Sequence, residues 1–233
     1  MKCMADLHLK PANQNPDATA KMANLAAEMG FSCVGVTLDA RMPEDKKRQV
    51  LSEFSEQGIN ALSRIDLAFE NRQALLRAIP KVRSNYDLVA VNCLNGQIGS
   101  LAFRDKRIDM VYFDADRPGM HPSSLFGMRA DIPVEFNFSN ILNSRQQRLT
   151  LARVRAQFAK AKRSRAQILV SSGASSFLTM IGPREMMAYT NIMGLSPSEA
   201  SAAVSDIPMR IVRNRLNRRS PDYVTEGVRV LEA

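Results

Sequence analysis

No tryptophan occurs in this chain, and only two histidines and three cysteines. Each scarcity excludes a class of protein. Cys3, Cys33 and Cys93 lack CxxC spacing and are odd in number, which argues against a disulfide framework. Each lies in an apolar run and is expected to be a buried small hydrophobe. His8 and His121 are too few for a histidine-rich metal centre, because a zinc or two-metal site wants three or more convergent N or O ligands. No apolar run reaches the ~18 residues a membrane helix requires. The opening residues MKCMAD lack the apolar core of a signal peptide, so the expected location is the cytoplasm, with no membrane partner. Acids are missing too: none lies between Asn140 and Pro183.

What is present fits one large domain over residues 1–233, since 45% of the side chains are hydrophobic and no linker interrupts the pattern. The net charge of +9 is unevenly placed. Residues 1–139 carry 17 basic and 17 acidic side chains. Residues 140–219 carry 14 basic ones against Glu185, Glu199 and Asp206, a net of +11. Residues 220–233 return −2. A basic third of a chain is the footprint of a polyanion partner, with affinity that falls as salt rises.

Along the chain, strand-like and helix-like runs alternate. KCMADLH (2–8), SCVGVTL (32–38), INALSRIDLAF (59–69), DLVAVNC (87–93), DMVYFD (109–114), PVEFNF (133–138) and QILVS (167–171) read as strands. Asn15 and Pro16 start the first helix, with Met22, Leu25, Ala26 and Met29 as its stripe and Gly30 after it. Pro43 opens the second and Gly58 closes it. Asn71–Arg83 is a third, with Pro80 expected to break it. The stretch 117–127, with two prolines and two glycines, is the least regular. Strict alternation implies a parallel sheet. Even spacing, no GxGxxG after the first strand, and polar groups at strand ends (Asp6, Asp39, Asp66, Asp114, Ser171) favour a TIM-like α/β barrel of about seven strands over a doubly wound sheet. Residues 183–219 follow as a basic helical extension packed on it.

Two helices concentrate the positive charge. On the one expected over 144–162, Leu151, Val154, Phe158 and Ala161 form the stripe, and Arg145, Arg148, Arg153, Arg155, Lys160 and Lys162 occupy the rest. Unpaired like charges at this spacing cost a few tenths of a kcal/mol each, so an external anion is expected to offset them. On the terminal helix Met209, Val212 and Leu216 are the expected buried stripe, with Arg210, Arg213, Asn214 and Asn217 opposite and Arg218 and Arg219 at the end. Arginine pairs bidentately with phosphate, and asparagine reads base edges or sugar hydroxyls. About six phosphate contacts would lower affinity by about three decades between 50 and 200 mM salt. Ser196, Pro197 and Glu199 make a capping box between the two, a structural signal.

Catalytic constellations are thin. Asp6 and His8 suggest a metal-dependent phosphoesterase barrel, but the ligand complement is short. Ser171 and Ser172 beside Gly173 lack a G-x-S-x-G frame and a nearby histidine, so Gly173 is expected to supply a tight turn and a serine to cap the following helix. Neither a catalytic residue, a cofactor nor a metal is assigned. A helix-turn-helix DNA reader over 183–219 is the third reading.

The order Asp6-x-His8, Glu135-Phe136-Asn137-Phe138-Ser139, Arg148 on a basic helix, Ser171-Ser172-Gly173-Ala174, Pro183-Arg184-Glu185, Gly194-Leu195 and Arg213-Asn214 resembles the ribonuclease P protein component 3 family. The likeness covers essentially the whole chain, and the Ser-Ser-Gly-Ala turn with its helical tail is its most specific part. It implies a TIM-like barrel that assists a catalytic RNA in removing the 5′ leader of precursor tRNA, touching the precursor indirectly and pairing with protein component 2. It also implies that this chain is not itself catalytic. Met180-Ile181-Gly182 lacks a basic residue the family often has there, so contacts beside Pro183-Arg184 are expected to be weaker. The residues assigned to RNA are Arg145, Arg148, Arg184, Arg210, Arg213, Asn214 and Arg218.

Overall fold

Strands and helices alternate as the hydrophobic periodicity implies. The computed structural model describes residues 3–11, 15–113 and 132–220, with strand residues 223–225 and 228–229. In chain order these are β1 (Met4–Leu9), α1 (Pro16–Glu28), β2 (Phe31–Thr37), α2 (Glu44–Ser55), β3 (Asn60–Ala68), α3 (Arg72–Arg83), β4 (Leu88–Asn92), α4 (Gly96–Ala102) and β5 (Met110–Tyr112). Then come β6 (Val134–Asn137), α5 (Ser139–Leu142), α6 (Gln147–Arg163), β7 (Ile168–Ser171), α7 (Pro183–Ile192), α8 (Pro197–Val204), α9 (Asp206–Arg219), β8 (Tyr223–Thr225) and β9 (Val228–Arg229).

β1 to β7 pair in sequential order, every neighbour parallel. β7 meets β1 through one bridge, Leu9 with Ala174, where the Lys10 N–H donates to the Ala174 carbonyl at 2.7 Å. α8 packs on both β7 and β1 beside this seam. The result is a nearly closed, seven-stranded TIM-like barrel. Because side chains alternate across a strand, Val34, Val36, Val89, Val91, Val134 and Val170 pack outward under the helices. Ala5, Leu7, Cys33, Leu62, Leu88, Ala90, Met110 and Leu169 form a separate interior cluster, which Ile211 and Val212 of α9 join. The last helix of the barrel's extension is therefore part of its core.

Local signals work where they are strong. Asn15 Oδ1 accepts the Ala18 N–H at 3.1 Å, and Asn71 Oδ1 accepts those of Gln73 and Ala74. Ser196 and Glu199 complete their capping box. Four expectations need correction. α3 runs through Pro80 to Arg83, because that proline lies on the exposed side while Leu75 and Ile79 hold the helix to the core. The helix expected over 144–162 starts later, as α6 (Gln147–Arg163), and its buried stripe is Thr150, Val154, Phe158 and Ala161, with Leu151 exposed. The Thr150 hydroxyl bonds the buried Ser144 hydroxyl at 2.8 Å. On α9 Pro208, Ile211 and Val212 are buried and Leu216 is exposed. Cys3 is exposed, while Cys33 and Cys93 are buried as expected. Asp114, His121 and the stretch 117–127 lie outside the described residues.

Candidate functional site

The two ends of the barrel carry different chemistry. Towards the strand C-termini the interior turns polar. β1 shifts register between Asp6 and Leu9, and beyond the shift His8 lies against inward groups of β3 and β6. Arg64 on β3 is completely buried. It donates from Nη1 and Nη2 to the two carboxylate oxygens of Glu135 at 2.8 and 2.6 Å, from Nε to Asp66 Oδ1 at 2.7 Å, and from Nη1 to the Leu7 carbonyl at 2.7 Å. The Tyr112 ring lies near both Arg64 and His8. Gly35 on β2 makes room here, since an added Cβ would run into the same Leu7 carbonyl.

His8 completes the set. Its Nδ1 lies 2.8 Å from Asn137 Oδ1 and 3.2 Å from Glu135 Oε1. Its Nε2 lies 3.1 Å from Asp66 Oδ2 but out of hydrogen-bond alignment, so that contact is a charge pair without a formed bond. The Ser171 hydroxyl sits between Glu135 Oε1 (2.6 Å) and Asn137 Oδ1. Burial would raise the pKa of Glu135, but Arg64 and His8 outweigh it and hold it down to about 2. Asp66 falls well below the usual carboxylate range for the same kind of reason, burial being overcome by Arg64 and His8. Burial and Arg64 push His8 down, yet Glu135 and Asp66 leave it raised. Asp6, fully buried, is pushed up to about 6 by burial, although the backbone N–H groups of His8 and Ser172 donate to it.

This arrangement neutralises itself. Glu135 and Asp66 are taken by a guanidinium that occupies the position a bound cation would need, and no group of three or more His, Cys, Asp or Glu among the described residues is arranged to hold a metal ion. The metal-phosphoesterase expectation built on Asp6 and His8 is not favoured. Ser171 is part of this network, and Gly173 turns the chain at φ +62° against Ser139 and Asn137. The Ser172 hydroxyl accepts the Ala174 N–H at 3.1 Å, and it is Ser176 that precedes the following short 3₁₀ turn (Phe177–Thr179).

The opposite end is closed by α9. Arg215 donates to the carbonyls of Arg83 and Tyr86 at 3.0 and 2.9 Å, just before β4, and Arg219 pairs with Asp87 there. Arg218 reaches the Lys106 carbonyl at 3.3 Å before β5, and Arg210 donates to Gln167 before β7. α9 thus lies across the N-terminal ends of the strands, its apolar side inside the barrel. A helix fastened in this way does not suit the helix-turn-helix expectation. Burial, Arg83 and Arg219 lower the Arg215 pKa to about 10, so it stays charged at neutral pH.

The seven residues assigned to RNA do not form one patch. Arg145 and Arg148 follow β6, and Arg184 follows β7, so they belong to the strand C-terminal side. Arg210, Arg213, Asn214 and Arg218 sit on α9 at the other side. All seven are exposed. They form two basic regions separated by the barrel. The like-charge tension on α6 is relieved at one position by a residue read only as a cap: Lys162 Nζ reaches Glu199 Oε2 at 3.1 Å and the Gly194 carbonyl at 2.8 Å. The residue missed altogether is Arg64. Its signal was available, an arginine two residues before an aspartate inside an apolar strand run, where both must share one face.

Fold and site together define a TIM-like barrel whose interior, among the described residues, is closed by its own ion pairs. The profile described as RNase P subunit p30 matches residues 4–220, and the chain belongs to that family. It is 26% identical over 232 residues to ribonuclease P protein component 3 of Methanosarcina barkeri, covering 97% of this chain and 94% of that protein. Its fold resembles a chain in the cryo-EM structure of archaeal ribonuclease P with mature tRNA, with TM-score 0.82, 16% identity, and 97% and 98% of the two chains covered. An amidohydrolase shares the barrel at TM-score 0.59 and 11% identity, over 94% and 75% of the chains. The chain is a protein subunit of ribonuclease P, the endonuclease that matures tRNA 5′ ends.

Proposed function

We propose that this subunit works by contact, binding the catalytic RNA and protein component 2, meeting precursor tRNA only through them, and leaving cleavage to the RNA. The observation that carries this is the state of the basic surface. Arg145, Arg148, Arg184, Arg210, Arg213 and Arg218 are exposed, and none makes an ion pair among the described residues. Phosphate is the partner such a surface lacks. Asn214 adds a carboxamide on the same helix. The fold neighbour in archaeal ribonuclease P with mature tRNA supports an RNA setting. In this reading residues 1–233 act as one domain, with 183–219 as its RNA-facing extension. The protein works in the cytoplasm, and no helix among the described residues is long and apolar enough to cross a membrane. The test is reconstitution with the cognate RNA and component 2. Adding this chain should raise precursor-tRNA cleavage at low magnesium by about tenfold or more, on the scale of several phosphate contacts; no gain would overturn the reading.

A further inference from the structure

A cleft of about 370 Å³ opens between α9 and the segments that lead into β5, β6 and β7. That size lies within the range of small-ligand sites. It is at the strand N-terminal end, away from the C-terminal end where barrels of this class hold their chemistry. Three cations rim it: Lys106, Arg210 and Arg218. Arg210 is engaged by a neutral carboxamide and Arg218 by a backbone carbonyl, so neither charge is balanced. The one carboxylate that lines the cleft among the described residues, Asp109, is already taken by the Arg83 guanidinium at 2.5 Å and the Val89 N–H at 2.8 Å. Three cations facing one space repel each other, and an anion between them removes that cost.

The floor differs from the rim. Ile132 and Ile211 line it and are otherwise buried, at 5% and 7% exposure. Asn214 and Gln167 stand on its walls. The Gln167 oxygen takes Arg210, which leaves its amide N–H₂ to donate. An apolar floor, carboxamide walls and a cationic rim match one nucleotide unit, with a flat base, polar edges and a phosphate. A duplex keeps its base faces stacked inside the helix and would leave the isoleucine floor wet.

We propose that this cleft holds a single unpaired nucleotide of an RNA strand. Its phosphate lies on Arg210, Arg218 and Lys106, its base lies on the Ile132–Ile211 floor, and its edge meets Asn214 and Gln167. The proposal rests on the RNA-contact reading above and adds a specific site and preference to it. Stacking and edge contacts then distinguish unpaired from paired RNA, which phosphate contacts alone do not.

Fluorescence anisotropy on the full chain tests it, with labelled hexauridylate, a short blunt RNA duplex and the cognate ribonuclease P RNA as probes at about 100 mM salt. The wild type should bind hexauridylate more tightly than the duplex. Arg210→Ala with Arg218→Ala, both exposed positions, should weaken hexauridylate by about tenfold or more. Asn214→Ala should weaken it less and leave the duplex unchanged. Lys46→Ala with Arg48→Ala, exposed on α2, serves as the charge-matched control and should change nothing. Unaltered hexauridylate binding in the Arg210/Arg218 variant, with ribonuclease P RNA still bound, overturns the cleft and leaves the RNA reading intact. Equal loss of hexauridylate and duplex also overturns it, because the site would then recognise phosphate alone. A wild type that binds none of the three probes removes both proposals.

Discussion

At one end of this barrel charges of opposite sign face inward and are paired with each other; at the other, three arginines of α9 face outward and meet no carboxylate among the described residues. Arg64, Glu135, Asp66 and His8 are bound to one another inside the wall of strands, where Arg64 and Glu135 are wholly inaccessible. Arg210, Arg213 and Arg218 stand on a helix that covers the strand N-termini and meet only carbonyls and a carboxamide. The first end is the one where barrel enzymes place reacting groups. Here, among the described residues, Arg64, Glu135, Asp66 and His8 hold one another. The comparison teaches where selection on contact, as opposed to chemistry, can act on a barrel. It can act on the outside of the barrel and on the helix that plugs its N-terminal end.

The largest effect should come from breaking the inward set. Arg64→Ala leaves Glu135 and Asp66 buried without their cation, and removal of one partner from a buried pair costs about 3–5 kcal/mol. Denaturant unfolding should show that loss, and Arg64→Ala with Glu135→Gln should recover part of it because only one carboxylate then remains uncompensated. A loss below about 1 kcal/mol would mean that the network is hydrated and behaves like a surface one.

Asp6 sharpens the same contrast through pH. Its carboxyl is raised to about 6 by burial, whereas in the unfolded chain it ionises near 3.8. Between these values the folded protein holds a proton that the unfolded chain has lost, so this group's contribution falls as pH rises through that window. Above about pH 6 it is a constant penalty. Asp6→Asn cannot ionise and keeps one oxygen for the His8 and Ser172 N–H groups. The stability difference between variant and wild type should therefore shift in the variant's favour by about 2 kcal/mol from pH 4 to pH 7, at 1.36 kcal/mol per unit. A flat difference across that range would show that Asp6 ionises normally in the fold.

How far these ends were legible in the sequence follows from the reach of the signals. Strand and helix alternation is local and repeats seven times, so the barrel and most element bounds could be read directly. Caps such as Asn15, Asn71 and Ser196 are also local. The network is not: Arg64 and Glu135 are 71 residues apart, and nothing short of the closed barrel brings them together. Asp66 and Asp6 read as strand-end acids, which is correct in position, but the arginine that neutralises Asp66 lay hidden in an apolar run. The basic excess was visible as a number, and its division between two ends was not. Charge counts carry no direction, and α6, at 17 residues, spans about 25 Å from one side to the other. Leu151 and Leu216 mark the third limit: the helical period puts them on the stripe, while the buried positions fall on Thr150 in α6 and on Ile211 and Val212 in α9.

On α9 the arginines that dock should separate from those that do not. Arg215 is half-buried and donates to two backbone carbonyls, so Arg215→Ala should cost about 1–3 kcal/mol, the scale of charged hydrogen bonds lost from a partly buried site. Because Ile211 and Val212 share the plug, its loss should also loosen the barrel's N-terminal end, visible as faster amide exchange in β4. Equal effects of Arg215→Ala and Arg213→Ala on stability would contradict the division between docking and free arginines.

The smallest stability effect belongs to the exposed cations, and it carries the comparison to function. Arg145→Ala with Arg148→Ala at one end, and Arg210→Ala with Arg213→Ala at the other, should each change unfolding free energy by no more than about 0.5 kcal/mol, as surface substitutions away from buried partners do. Binding should respond differently. Each phosphate contact contributes about 0.9 to the slope of log affinity against log salt for duplex nucleic acid and about 0.7 for single strands. If one RNA runs along the barrel and touches both ends, both double variants lower that slope by about one to two for ribonuclease P RNA. If only the α9 pair lowers it, the Arg145–Arg148 end is turned to a protein partner. Loss of the component 2 interaction in that variant, measured by titration calorimetry, should then accompany an unchanged salt slope. The two ends can be assigned because a phosphate contact and a protein contact leave different salt signatures, and each pair of arginines is far enough from the other to be removed alone.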